Sequence, residues 1–179
     1  MSQLSLWLLE QACIQNVSWQ SAGFSPVKIA VNLPASFIMQ PRCLKDIYSI
    51  LTKTGLNPKF LEIELTENTF LDSTSIAVSV LQALKDLGIS IAIDDFGTGY
   101  SSMEQLQRIP FSELKIDRAF VSAADEDDSA MAILESSILL ARKLDLKVVA
   151  EGVELQLEWD SMVEPGCDPV QGYFVPRQL

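Results

Sequence analysis

Two adjacent carboxylates, Asp94 and Asp95, end an apolar run and open a glycine-rich loop in Ile91-Ala-Ile-Asp-Asp-Phe-Gly-Thr-Gly-Tyr-Ser-Ser102. Two acids at the carboxyl end of a buried strand are costly to desolvate unless a positive charge meets them. A divalent metal ion answers that cost, and hard oxygen donors suit Mg²⁺ or Mn²⁺. The competing reading makes the pair a cap for the following turn, which leaves both acids without a cation.

The same layout recurs along the chain. Val27-Lys-Ile-Ala-Val-Asn-Leu33 delivers Asn32, and Phe60-Leu-Glu-Ile-Glu-Leu-Thr66 delivers Glu64, with Glu67 just beyond. Glu113-Leu-Lys-Ile-Asp117 delivers Lys115 and Asp117. Leu146-Lys-Val-Val-Ala-Glu151 delivers Glu151, then Gly152 and Glu154, and Pro169-Val-Gln-Gly-Tyr-Phe174 delivers Gln171. Each has a plainer alternative. Glu64 and Glu67 could start a solvated helix, and Asn32 and Gln171 could be hydrogen-bonding plugs. Lys115 could be a buried lysine paired with a strand-end acid. Asp117 and Glu154 could be loop scaffold.

Strand-like runs carry these residues, and helix-like runs separate them. Apolar residues at helical spacing mark 4–19, 36–54, 73–87 and 128–144, with shorter stretches at 100–108 and 155–163. Gly55 and Gly88 stand where left-handed helix stops belong. Arg142 and Lys143 suit the negative end of a helix dipole. In the first stretch Leu8, Ala12 and Ile14-Gln15 occupy the middle turns. Alternation of strand and helix predicts parallel βαβ units. Near-continuous apolar strands predict a sheet buried on both faces. A doubly wound sheet gathers its ligand at one switch point. Here every strand end offers a candidate, which favours an α/β TIM-type barrel, whose strand ends all face one mouth. Such a barrel has eight strands in roughly 250 residues. About six are counted in these 179 residues, so the expectation is an incomplete barrel forming a single domain over 1–179.

Composition narrows the chemistry. The chain has no histidine, which removes Ser-His-Asp triads, Cys-His dyads and imidazole zinc sites. Acid–base work falls to carboxylates, lysine or metal-bound water. A net charge of −11 argues against a nucleic-acid polymer as partner, and a phosphate ester would need metal ions to reverse the local sign. Mean hydropathy is +0.21, yet no apolar run approaches a membrane span and no signal peptide is evident. Cys13, Cys43 and Cys167 form no Cys-x-x-Cys pair and read as reduced thiols of a cytoplasmic protein. Asp95-Phe-Gly97 matches a protein-kinase metal motif, but that family also needs a His-Arg-Asp loop. A dinucleotide fingerprint needs three spaced glycines opening a helix; only two occur, after an acidic pair.

Asp94-Asp-Phe-Gly-Thr-Gly-Tyr-Ser-Ser102 resembles the signature loop of EAL-domain cyclic-di-GMP phosphodiesterases. Val31-Asn-Leu33, Glu64-Leu-Thr-Glu67, Leu114-Lys-Ile-Asp-Arg-Ala-Phe-Val121, Val149-Ala-Glu-Gly-Val-Glu154 and Gly166-Cys-Asp-Pro-Val-Gln-Gly-Tyr173 are similar to that family's other blocks, in the same order. The resemblance implies metal-dependent hydrolysis of one phosphodiester bond of cyclic-di-GMP, giving linear pGpG. It implies two Mg²⁺ or Mn²⁺ ions held by Asn32, Glu64, Asp94 and Asp95, with Asp94 bridging. Lys115 would hold the attacking water or a phosphate oxygen, and Glu151 would be the base or a metal ligand through water. Asp117, Glu154 and Gln171 would support metals and substrate, and Glu67 would anchor the loop 96–102. The family's Glu-Ala-Leu strand and the short strand before it do not occur in the chain. One metal ligand is therefore expected to be missing, and free sheet edges predict self-association as a homodimer or larger assembly. The alternative function is a catalytically weakened cyclic-di-GMP-binding or protein-interaction module.

Overall fold

The computed structural model describes residues 2–66, 75–97, 103–123, 127–153 and 170–171. Six strands run in chain order: β1 (Ile29–Asn32), β2 (Leu61–Thr66), β3 (Ser90–Phe96), β4 (Glu113–Ile116), β5 (Lys147–Glu151) and β6 (Val170–Gln171). All pair in parallel, in the order β1-β2-β3-β4-β5-β6. The order never reverses, so the winding is that of a TIM-type barrel and not of a doubly wound sheet. Among the described residues the barrel is not closed, since β1 pairs only with β2 and β6 only with β5.

Helices fill the connections: α1 (Ser2–Ser21), α2 (Ala35–Ile38), α3 (Cys43–Thr54), α4 (Ser75–Asp86), α5 (Met103–Arg108), α6 (Arg118–Ala123) and α7 (Asp128–Lys143). The expected single helix over 36–54 is two helices. Pro41 lies between them; it has no N–H to donate, and it disfavours helical geometry at Gln40. The stops fall as expected. Gly55 is left-handed at φ +75 and its N–H donates to Leu51 O at 2.9 Å, and Gly88 has φ +95. Asp127 caps α7, its side chain accepting from Ser129 N at 2.8 Å. The helix α6 was not anticipated. Its signal is Asp117, whose Oδ1 accepts from Ala119 N at 2.8 Å as an N-cap does. The stretch 155–163 lies outside the described residues.

The strands differ from the apolar ribbons anticipated. One face is apolar: Ile63, Leu65, Ile91, Ile93, Leu114, Ile116, Val148 and Ala150 form one core with Ile47, Leu51, Leu81, Leu84, Leu134 and Ile138 of the helices. The other face carries Glu62, Glu64, Ser90, Ala92, Asp94, Glu113, Lys115 and Lys147 at alternate positions of the same strands. At the amino end, buried Glu62 receives the Lys28 ammonium at 2.9 Å. Burial and the neighbouring Glu62 push the Glu113 carboxyl up from its ordinary value. On that face the charged residues are joined by the buried apolar Ala92 and Val149, and the hydrophobic core cluster lies on the helix side.

In α1 the apolar residues surround the helix. Leu9, Cys13 and Asn16 are buried, whereas Leu8 and Ile14 of the middle turns are exposed. Periodicity alone did not select the buried line. Asn16 Nδ2 donates to Val27 O at 2.9 Å, tying α1 to the chain entering β1. Cys13 and Cys43 are free and buried, and burial pushes their thiols up to about 11 and about 12, so both are unreactive core groups. Cys167 lies outside the described residues.

Ile63 is wholly buried on β2, while Ile76 on α4 is 60% exposed. Ile63→Ala is expected to lower unfolding free energy by about 2–5 kcal/mol, and Ile76→Ala by well under about 1 kcal/mol. Urea unfolding of the two variants beside the parent measures both.

Candidate active site

The carboxyl ends of the strands gather the site. Lys115, on β4, is 5% exposed. Its Nζ donates to Glu64 Oε1 on β2 and to Glu151 Oε1 on β5, the latter at 2.8 Å. Between them on β3 lies Ala92, opposite Glu64 on one side and Glu113 on the other. Burial by itself would lower the lysine pKa. The hydrogen bonds that it donates to Glu151 and Glu64, with the charges of those carboxylates, outweigh this and hold the lysine pKa well above its ordinary value. The two carboxylates thus favour the charged form of Lys115.

Adjacent residues of a regular strand point to opposite faces, so Asp94 and Asp95 could not both face the mouth of a plain β3. The pairing of β3 with β4 shifts between Ile93 and Phe96: Ile93 faces Leu114, and Phe96 faces Ile116. Three steps on β3 match two on β4, which is a bulge. Asp95 takes φ +55 within it. Left-handed geometry is uncommon outside glycine, and Asp is among the residues that tolerate it. The bulge turns Asp95 toward other acids. Its carboxyl is pushed above the ordinary value by burial first, then by the charges of Asp94, Asp117 and Glu151, and by a hydrogen bond with Asp117.

The remaining candidates are placed as follows. Asn32 ends β1 directly opposite Glu64 and is exposed. Asp94 stands opposite Thr66, one inward-facing position beyond Glu64. Gln171 lies opposite Glu151 in the β5–β6 pairing; its side chain is outside the described residues. Glu67, Glu154 and most of the loop 96–102 also lie outside them. Residues that sequence reasoning missed are Arg118 and Phe120 of α6, which flank the glycines after the site acids.

The donor set suits a hard cation. Every candidate ligand is an oxygen donor, and the mutual repulsion felt by Asp95 is the signature of acids with too little positive charge nearby. Among the described residues, Lys115 is ion-paired with Glu64 and Glu151. Among the described residues, no three acids, cysteines or histidines already stand in a preformed metal cluster.

The parallel sheet, wound in one direction, brings the Lys115 cluster to the carboxyl ends of its strands. The chain belongs to the EAL domain family, whose model matches residues 1–178. It is 37% identical over 177 residues to the bifunctional diguanylate cyclase/cyclic di-GMP phosphodiesterase MucR of Pseudomonas aeruginosa, covering 99% of this chain and 26% of that protein. The chain thus spans about a quarter of that relative's length. A solved structure described as a PaMucR phosphodiesterase, c-di-GMP complex superposes with a TM-score of 0.91 at 38% identity, covering 98% of this chain and 71% of that one. A manganese/cy-diGMP complex of Klebsiella pneumoniae BlrP1 superposes with a TM-score of 0.85 at 29% identity, covering 97% and 44%. Among the described residues no helix is long and apolar enough to cross a membrane.

The raised Asp95 carboxyl has a measurable consequence in metal-free protein. Its folded-state pKa lies above the ordinary value of 3.8. Ionisation therefore costs the folded state stability: nothing at pH below that value, growing as pH rises through the folded pKa, and full above it. Asp95→Asn removes this cost, and Asn also tolerates the left-handed backbone. The variant is expected to melt higher than the parent at pH 7 in chelator. The difference should close as pH falls toward 4 in thermal melts across that range. A pH-independent difference would contradict the assignment.

Proposed function

We propose that this chain hydrolyses cyclic-di-GMP to linear pGpG. The observation that carries the reading is the Lys115 ammonium held between Glu64 and Glu151 beside the crowded acids Asp94, Asp95 and Asp117, in an EAL domain. Asn32, Glu64, Asp94 and Asp95 are the residues that would hold Mg²⁺ or Mn²⁺; when bound, such ions neutralise phosphate oxygens and acidify water. Lys115, aimed by its two carboxylates, offers N–H donors and a permanent charge to a non-bridging phosphate oxygen or to the attacking water. Glu151 gives Oε1 to Lys115 and has a second oxygen to take the water proton as general base. The water oxygen bonds to phosphorus, one P–O ester bond breaks, and the departing 3′ oxygen takes up a proton. Asp117, Glu154 and Gln171 support the substrate side of the pocket, and Glu67 anchors the loop 96–102. Residues 1–179 act as one EAL-like domain, a reading supported by the one sheet and one core cluster among the described residues.

The same reading includes self-association in the cytoplasm. Leu4, Trp7, Leu8, Ile14 and Trp19 of α1 are exposed, as are Phe24 and Val27 between α1 and β1. Among the described residues β1 is paired on one side, and such edges recruit further chains. Sedimentation of the 179-residue chain is expected to report a dimer or larger species; a monomer at tens of micromolar would refute this part.

Turnover is tested with purified chain, cyclic-di-GMP and Mn²⁺ or Mg²⁺, following pGpG by chromatography. Activity is expected to vanish in chelator and to be suppressed by Ca²⁺, whose coordination is longer and looser. Asp94→Asn should abolish it, and Glu151→Gln and Lys115→Ala should each lower kcat by on the order of 10²-fold or more, with substrate binding affected less. Full turnover in chelator, or a near-parental rate for Glu151→Gln, would overturn the reading.

A further inference from the structure

Resting on that reading of the site, the geometry points to α6 as a brace that sets the spacing between the Asp94–Asp95 bulge and Glu151, with Phe120 and Arg118 as positioning residues. Two glycines carry the observation. Gly97 follows the bulge at φ +100, and Gly152 follows Glu151 at φ +73. A Cβ on Gly97 would lie 2.7 Å from Cε2 of Phe120. A Cβ on Gly152 would lie 2.5 Å from Cγ of Arg118, and 2.7 Å from its Cβ and Cδ. The Phe120 ring is therefore laid directly on the backbone after Asp95, and the Arg118 methylenes on the backbone after Glu151.

The spacing within α6 explains how one short helix reaches both neighbours. At roughly 100° per residue, positions two apart point to nearly opposite sides. Arg118 turns toward the end of β5, Phe120 toward the end of β3, and Val121, fully buried, pins the helix to the core. Asp117 starts the helix as its N-cap and hydrogen-bonds Asp95 as well. The two acid-bearing loops are thereby referred to a single rigid element following the Lys115 strand. A displacement near 1 Å of reacting groups costs on the order of 10²-fold in rate, so the brace bears on catalysis without touching substrate.

The test separates stem from charge. Arg118→Ala and Phe120→Ala are expected to lower kcat for cyclic-di-GMP on the order of 10- to 100-fold with KM changed by less than about 3-fold, and to raise the Mn²⁺ concentration for half-saturation. Arg118→Lys and Arg118→Met keep the methylene stem and should stay within about 3-fold of the parent. If both are as poor as Arg118→Ala, the guanidinium acts directly and the brace is wrong. If Arg118→Ala and Phe120→Ala match the parent in rate and Mn²⁺ binding, it is also wrong. Mn²⁺ isotherms are measured on every variant, so a parent that binds Mn²⁺ without turnover counts against the phosphodiesterase reading alone. A double-mutant cycle of Gly152→Ala with Arg118→Ala, read by urea unfolding, tests the contact without metal. Gly152→Ala should be less damaging once the stem is gone, and simple additivity would overturn the contact.

Discussion

One buried cation organises the mouth of this sheet. Lys115 reaches across β3 to Glu64 and along to Glu151, so a single ammonium ties together strands β2, β4 and β5. Two carboxylates this sheltered would repel each other and lose hydration if left alone. With the lysine between them, the net charge of the trio is only −1, and its hydrogen bonds fix where both acids point.

Around that trio the backbone departs from regular strand geometry where function asks for it. Consecutive acids cannot share one face of a pleated strand. The bulge at Asp94–Asp95, with Asp95 left-handed, turns the second acid back to the mouth. Glycine follows both acid-bearing strand ends because α6 packs against the backbone there. Local irregularity and tight packing are thus two parts of one arrangement: the bulge aims the acids, and the helix holds the bulge.

The division of the sheet into two faces explains why a polar site coexists with a stable fold. The helix side is continuous hydrocarbon, from Ile63 and Ile91 to Leu134 and Ile138. The barrel side carries paired charges even at its amino end, where Lys28 meets Glu62. Membership of the EAL domain family accords with this division.

From the residues alone, the order of elements was legible, and so were the strand ends that carry Asn32, Glu64, Asp94, Lys115, Glu151 and Gln171. Hydrophobic runs, glycine stops and acids after β-branched stretches are local signals, and they report on neighbours in sequence. Pro41 was also a local signal and should have split the expected helix over 36–54. What could not be read locally is every relation between distant segments. The partnership of Lys115 with Glu64 spans 51 residues of chain. The exposure of Leu8 beside buried Leu9 depends on which side of α1 meets α3. The raised Asp95 carboxyl depends on its burial and on the charges of Asp94, of Asp117 at the start of α6 and of Glu151 on β5. Sequence determined which chemistry was available, because side-chain type is written in it. Tertiary structure decided which charges meet, because Coulomb interaction and desolvation depend on distance in space and not along the chain.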